Sequence, residues 1–214
     1  MPELYPVLLD LKGKHCLVVG GGLVAARKTA SMYAAGAKII VVSPVLCSDL
    51  RESVARGEIF HLQREFLESD LSGAFLAVAA TDDSAVNKRI GQVAETLGVL
   101  TNIVDSPEAS GFIVPSVIRR GDLIIAIATS GISPALSRKL RLRLEKEIGM
   151  EYGELVKIVG EVRADFKSRH VRISEIAWQK ALDIDEMIAM IQENRRDRAK
   201  SILVQKLMSK AEDA

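Results

Sequence analysis

The sequence predicts an α/β fold: a parallel sheet in the first half, a small α+β segment after it, and helices to the end. Three observations carry this reading. Short apolar runs alternate with amphipathic stretches as far as Asp105, the alternation breaks at SPEASGF, and from about Glu151 the apolar residues keep a helical spacing.

The strand-like runs are His15 to Val19, Lys38 to Val42, a weaker Glu58 to Leu62, Phe75 to Ala80 and Val99 to Val104; helices are expected at Val24 to Ala35, Ser48 to Arg56 and Ala85 to Leu97. Strands joined through helices lie parallel, because the crossover carries the chain back to the same end of the sheet. Gly36 and Gly98 follow two of the helices, where a residue without Cβ accepts the left-handed cap. After the break come two more strand-like runs, Phe112 to Ile118 and Leu123 to Ala128. TSGISPALSRKLRLRLEKEIG then reads as a punctuated helix, with Ser133 as N-cap, Pro134 in the first turn and Gly149 as the stop. Beyond it Leu155, Ile158, Val159 and Val162 share a face, and so do Ile184, Met187, Ile188 and Ile191. The expected divisions are 1–112, 113–149 and 150–214.

Composition excludes several classes. Lys and Arg number 29 against 28 Asp and Glu, so no whole-molecule basic field exists for nucleic acid. Cys16 and Cys47 form no CxxC pair and have no His at ligand spacing, which reads as two reduced thiols and no metal site. The N-terminus shows no basic segment followed by an apolar one, and no apolar stretch approaches a membrane span. A cytoplasmic protein without membrane or nucleic-acid partners is expected.

The chemistry begins at VVGGGLVAARK. Gly20 to Ala25 fits GxGxxA: one Gly makes the turn, a second admits a pyrophosphate close to the backbone, and a small residue lets the helix pack on the sheet. The motif follows a first strand, opens a helix and precedes a second strand, so a dinucleotide is favoured over a bare turn. At the end of that second strand, Ser43 stands where an acidic residue usually meets the ribose of NAD. Arg27 and Lys28 are assigned to solvated or packing faces of the helix, so spacing leaves NAD against NADP open.

Four segments, GGGLVAARK, AATDDSAVNKRI, TNIVDSPEASGFIVPS and IAIATSGISPALSRKLR, occur in an order and spacing that resembles the siroheme synthase family. The resemblance runs through Gly149, with the helical tail similar in length and character. It implies a Rossmann-type NAD domain, a small dimerisation segment, a C-terminal helical domain and a homodimer. The implied reaction is NAD-dependent dehydrogenation of precorrin-2 to sirohydrochlorin. Some members also insert ferrous ion; dehydrogenation alone is favoured here. Trifunctional relatives carry a methyltransferase domain after the tail, and since the sequence ends at Ala214 another protein is expected to make precorrin-2.

Carried over by position, Gly20, Gly22, Leu23 and Val24 are the pyrophosphate turn, and Ser43, Pro44 and Val45 hold the adenosine ribose; the family uses NAD without the acidic residue. Thr81 and Asp82 would border the cofactor cleft, and Asn102 would offer it an amide. Asp105 resembles the family's essential aspartate and would act as general base, against a bland alternative as a turn residue before Ser106-Pro107. Thr129, Ser130 and Ser133 would meet substrate carboxylates at a helix N-terminus, although Ser133 is equally well explained as an N-cap. Arg138, Lys139, Arg141, Arg143 and Lys146 are read as a solvated face, and His15, His61 and His170 as structural or exposed. The competing reading from another class is an NAD(H)-sensing regulatory module without catalysis.

Overall fold

A computed structural model describes residues 3–211. One compact unit ends at Val114 and a second begins at Pro115.

The first unit is built on a five-stranded parallel sheet with order β3-β2-β1-β4-β5. Its strands are β1 (His15–Val19), β2 (Lys38–Val42), β3 (Phe60–Leu62), β4 (Leu76–Ala79) and β5 (Leu100–Ile103). Val18 lies in register with Val41 on one side and Val78 on the other, and all three are buried. Central parallel strands are covered on both faces, which explains why they read as continuous apolar runs and not as alternating ones. Helices α1 (Leu23–Ala34), α2 (Ser48–Ala55) and α3 (Ser84–Leu97) make the crossovers. Asp83 caps α3 by accepting from the backbone N–H of Ala85 and Val86, and Gly98 ends it with φ 68°. The order reverses between β1 and β4. A crevice therefore opens beyond the carboxyl ends of those strands, where α/β sheets hold ligands.

Two strands, β3 and the first strand after the break, depart from expectation by more than one residue at an end, and the others by one residue at most. β3 starts at Phe60 because Glu58 is taken up by the turn after α2: its N–H donates to Ser53 O and its carboxylate accepts from Arg56 Nε at 2.7 Å. The strand expected over Phe112 to Ile118 begins only at Ser116. Gly111 N–H donates to Thr101 O (2.7 Å) and Phe112 O accepts from Asn102 Nδ2 (3.1 Å), which holds this stretch along β5, and Pro115 has no N–H to offer a ladder.

In the second unit β6 (Ser116–Arg120) and β7 (Leu123–Ile127) form an antiparallel hairpin turned at Gly121, whose φ is 58°. Helix α4 (Pro134–Glu147) has its N-cap in Ser133, whose Oγ accepts from Leu136 N–H at 3.2 Å. Arg120 closes its other end by donating from Nε to Ile148 O at 2.8 Å. Then come α5 (Glu151–Ser168), α6 (Glu175–Ala181), α7 (Ile184–Gln192) and α8 (Arg196–Ala211). Ile158 and Val162 pack with Met187, Leu203 and Leu207 in their common core. Among the described residues no helix is long and apolar enough to cross a membrane.

Candidate functional site

Three consecutive glycines at the end of β1 have three different surroundings. Gly20 lies between β2 and β4, donates its N–H to Val42 O at 2.9 Å and has φ 125°; a Cβ there would overlap the Ala80 carbonyl. At Gly21 a Cβ would overlap the Val45 carbonyl and stand 2.6 Å from Ser43 Oγ. Gly22 is unlike both. Its φ of −85° suits any residue, and a Cβ there would meet nothing within 4 Å. The folded chain alone therefore does not demand a glycine at Gly22, but a group lying close over it would.

Gly22 is also the N-cap of α1, which has no side-chain cap. The first backbone bond of the helix runs from Ala26 N–H to Gly22 O (3.0 Å), so the N–H groups of Leu23 and Val24 stand at its open end. Uncapped donors, the positive end of a helix and open space over a glycine together fit the phosphates of a dinucleotide.

Ser43 is buried, and its hydroxyl donates to Val45 O at 2.8 Å. Its carbonyl lies 2.9 Å from His61 Nε2, and Cys47 N–H donates to Gly21 O at 2.7 Å. The segment from Ser43 to Cys47 is thus folded down on the glycine turn, with Pro44 and Val45 exposed above it. Ser43 shapes this loop with its hydroxyl turned inward.

Thr81 is tied to Asn87, a residue that the sequence reading passed over. Thr81 Oγ1 donates to Asn87 Oδ1 (2.8 Å), and Asn87 Nδ2 returns a bond to Thr81 O (2.9 Å). Asn87 is buried in the first turn of α3, and this pairing fixes how the chain leaves β4. A polar residue one turn into an apolar helix was the available signal. Asp82 beside it is exposed.

β5 delivers Asp105 to the same carboxyl edge. Val104 N–H donates to Ala79 O (2.9 Å), and Ser106 N–H closes a turn on Ile103 O (3.2 Å) with Asp105 at φ 60°. Asp tolerates the left-handed region at modest cost. The turn reading and the base reading are therefore compatible, since the turn is what presents the exposed carboxylate. Ser110 Oγ braces it, accepting from Ile103 N–H (2.9 Å) and donating to Ser106 O (2.8 Å).

Asn102 does not present a free amide: Oδ1 accepts from Lys28 Nζ at 3.0 Å and Nδ2 donates to Phe112 O. Arg27 is exposed, whereas Lys28 is half-buried on the packing side of α1. Burial pushes the Lys28 ammonium below the usual lysine range, the charge of Arg27 adds to this, and the Asp105 carboxylate acts against it.

In the second unit Thr129 Oγ1 donates to Ser133 O and accepts from Ser133 N–H, both at 3.0 Å, while Ser133 Oγ caps α4. Ser130 has φ 51° and lies beside Gly131 in the same loop. Arg143 pairs with Glu147 on a solvated face, as expected, whereas Arg141 and its partner Glu145 are both half-buried. Among the described residues no group of three His, Cys, Asp or Glu could hold a metal. Cys16 is buried, which raises its thiol, and Cys47 is half-buried.

Residues 7–116 match the family described as putative NAD(P)-binding. A siroheme synthase of Nitrosococcus oceani is 39% identical over 92% of this chain and 43% of its own length. One of Chromobacterium violaceum is 43% identical over 78% of this chain and 36% of its own length. The chain thus spans under half the length of these curated relatives. A solved structure named SirC, precorrin-2 dehydrogenase, superposes with TM-score 0.68 at 27% identity, over 96% of this chain and 100% of the other. At that likeness the two share a fold, which in this chain is a Rossmann-like parallel sheet with crossover helices. The chain belongs to the putative NAD(P)-binding family, and the resemblance to siroheme synthases carried by its motifs extends over most of its length.

Proposed function

We propose that this protein oxidises precorrin-2 to sirohydrochlorin with NAD as acceptor. The observation that carries the proposal is the open space over Gly22 at the uncapped start of α1, on the same sheet edge as the exposed Asp105. The likeness to a precorrin-2 dehydrogenase over nearly the whole chain supports the choice of substrate.

In this reading Gly20 makes the turn, Gly22 with the N–H groups of Leu23 and Val24 meets the phosphates, and the Ser43-Pro44-Val45 loop meets the adenosine ribose through its backbone. Thr81 and Asp82 border the nicotinamide end. Asn102 supports the cleft from beneath. Asp105 takes the proton that leaves the macrocycle as the hydride departs, so the C–H and N–H or C–H bonds broken yield one hydride and one proton. Thr129, Ser130 and Ser133, with the N-terminus of α4, are assigned to substrate carboxylates.

The segment 113–149 is assigned to pairing of two copies, supported by the exposure of Leu136, Leu140 and Leu142 on α4. A cytoplasmic location accords with two unpaired cysteines.

The test is anaerobic incubation of the protein with precorrin-2 and NAD, following NADH and sirohydrochlorin. Stoichiometric formation of both is expected. NAD binding without turnover would instead support a sensing module. Sirohydrochlorin with ferrous ion, against a protein-free control, measures iron insertion.

A further inference from the structure

The loop assigned to the ribose carries no acidic residue: from Lys38 to Ser48 the sequence has neither Asp nor Glu. A site that selects NAD sets a carboxylate there, which accepts from the ribose hydroxyls and repels a 2′-phosphate. Neither effect is supplied here, and several acceptors of the loop are already engaged. Ser43 O lies 2.9 Å from His61 Nε2, Val45 O accepts from Ser43 Oγ at 2.8 Å, and Leu46 O accepts from Arg51 Nη1 at 2.6 Å. Cys47 N–H donates to Gly21 O at 2.7 Å, which seats the loop, and Arg51 with it, against the glycine turn.

Arg51 is the unspent group. It is exposed on α2, and its guanidinium reaches back to the loop from five residues away. Among the described residues that guanidinium makes no ion pair and no hydrogen bond besides the one to Leu46 O. The two carboxylates nearest it in sequence are committed elsewhere: Asp49 Oδ1 accepts from Ser48 Oγ at 3.1 Å, and Glu52 pairs with Arg56 at 3.6 Å. An arginine stays charged throughout the physiological range, and its planar fork suits phosphate oxygens. One bond to a main-chain carbonyl fixes that charge at the loop and leaves most of its N–H donors unused.

We infer that Arg51 makes this site accept a 2′-phosphorylated dinucleotide, NADP, as well as NAD. The inference rests on the reading of the glycine turn as a dinucleotide site. A charge-assisted bond from guanidinium to phosphate corresponds to an effect on affinity of about tenfold to hundredfold.

Titration calorimetry of the full chain, without substrate, measures the Kd of NAD and of NADP for the parent and two variants. Arg51→Gln keeps a donor for Leu46 O without the charge, and Arg51→Lys keeps the charge; melting is recorded with and without each dinucleotide. The parent is expected to bind NADP within about tenfold of NAD. Arg51→Gln is expected to weaken NADP about tenfold to hundredfold with NAD within about threefold, and Arg51→Lys to recover most of the loss. The rise in melting temperature given by NADP should shrink in Arg51→Gln while that given by NAD persists. A measurement that needs no variant is salt: in the parent, raising it should weaken NADP more steeply than NAD. A parent that binds NAD but not NADP, an equal loss of both in Arg51→Gln, or equal salt dependence overturns the inference alone. Failure to bind either dinucleotide removes the site, and the inference with it. The expected binding pattern without oxidation of precorrin-2 supports the inference and overturns only the proposed reaction.

Discussion

Gly21 and Val45 are packed so closely that a single methyl group on the glycine would overlap the valine carbonyl, while the neighbouring Gly22 faces open space. Adjacent glycines of one motif thus answer to different demands, one from the fold and one from a ligand. Gly21→Ala is expected to cost about 1–3 kcal/mol of stability by overpacking. Gly22→Ala is expected to melt within about 0.5 kcal/mol of the parent while raising the Kd for NAD at least about tenfold. Calorimetric melting and NAD titration of both variants check this; equal loss of stability in the two would contradict the division.

Ser43 bears on cofactor choice only indirectly. Ser43→Ala removes a buried donor to Val45 O and is expected to cost about 1 kcal/mol, with the ratio of kcat/KM for NAD and NADP unchanged. A shift in that ratio would mean that the hydroxyl meets the ribose after all.

Asp105→Asn retains a side chain that tolerates the left-handed turn, so it isolates the carboxylate. Turnover is expected to fall by about 10²–10⁴, the range of general base catalysis, with melting temperature unchanged. Asp105→Gly serves as the conformational control and should lose the same activity.

Asp70 provides a pH signature independent of the site. Arg64 donates to both its oxygens, at 2.6 and 2.8 Å, and Leu67 N–H adds a third bond. The Arg64 guanidinium holds this carboxyl below its usual range. Because the folded value lies below the unfolded one, the pair stabilises the protein above the ordinary Asp value of about 3.9, and that contribution is lost as pH falls through the lower folded value. Asp70→Asn should therefore flatten the acid limb of a melting-temperature profile and cost about 1–2 kcal/mol at neutral pH.

How far the sequence was legible can be argued from particular residues. β1 and β2 fall on the expected boundaries because buried parallel strands write unbroken apolar runs between a turn and a glycine. Ser133 and Pro134 likewise announce α4 by local chemistry alone. Phe112 to Val114 misled, since their strand-like side chains are overruled by the bonds that Gly111 N–H and Phe112 O make to Thr101 O and the Asn102 amide on β5, which no local period records. Within the site, Gly20 and Asp105 were legible from motif and strand end. Lys28 with Asn102 was not, because 74 residues separate a pair that only the crossover brings together. Asn87 escaped because its partner is Thr81, whose hydroxyl and carbonyl it meets only once the chain has turned from β4 into α3.

The bare start of α1 has a consequence for the lifetime of the protein. Where α3 and α4 carry their own caps, α1 borrows none from its side chains. A dinucleotide seated there completes the helix as Asp83 completes α3, and binding becomes linked to folding by mass action. At about a hundredfold excess over its Kd the linkage amounts to about 2.7 kcal/mol. Resistance to proteolysis would then rise with the concentration of free dinucleotide.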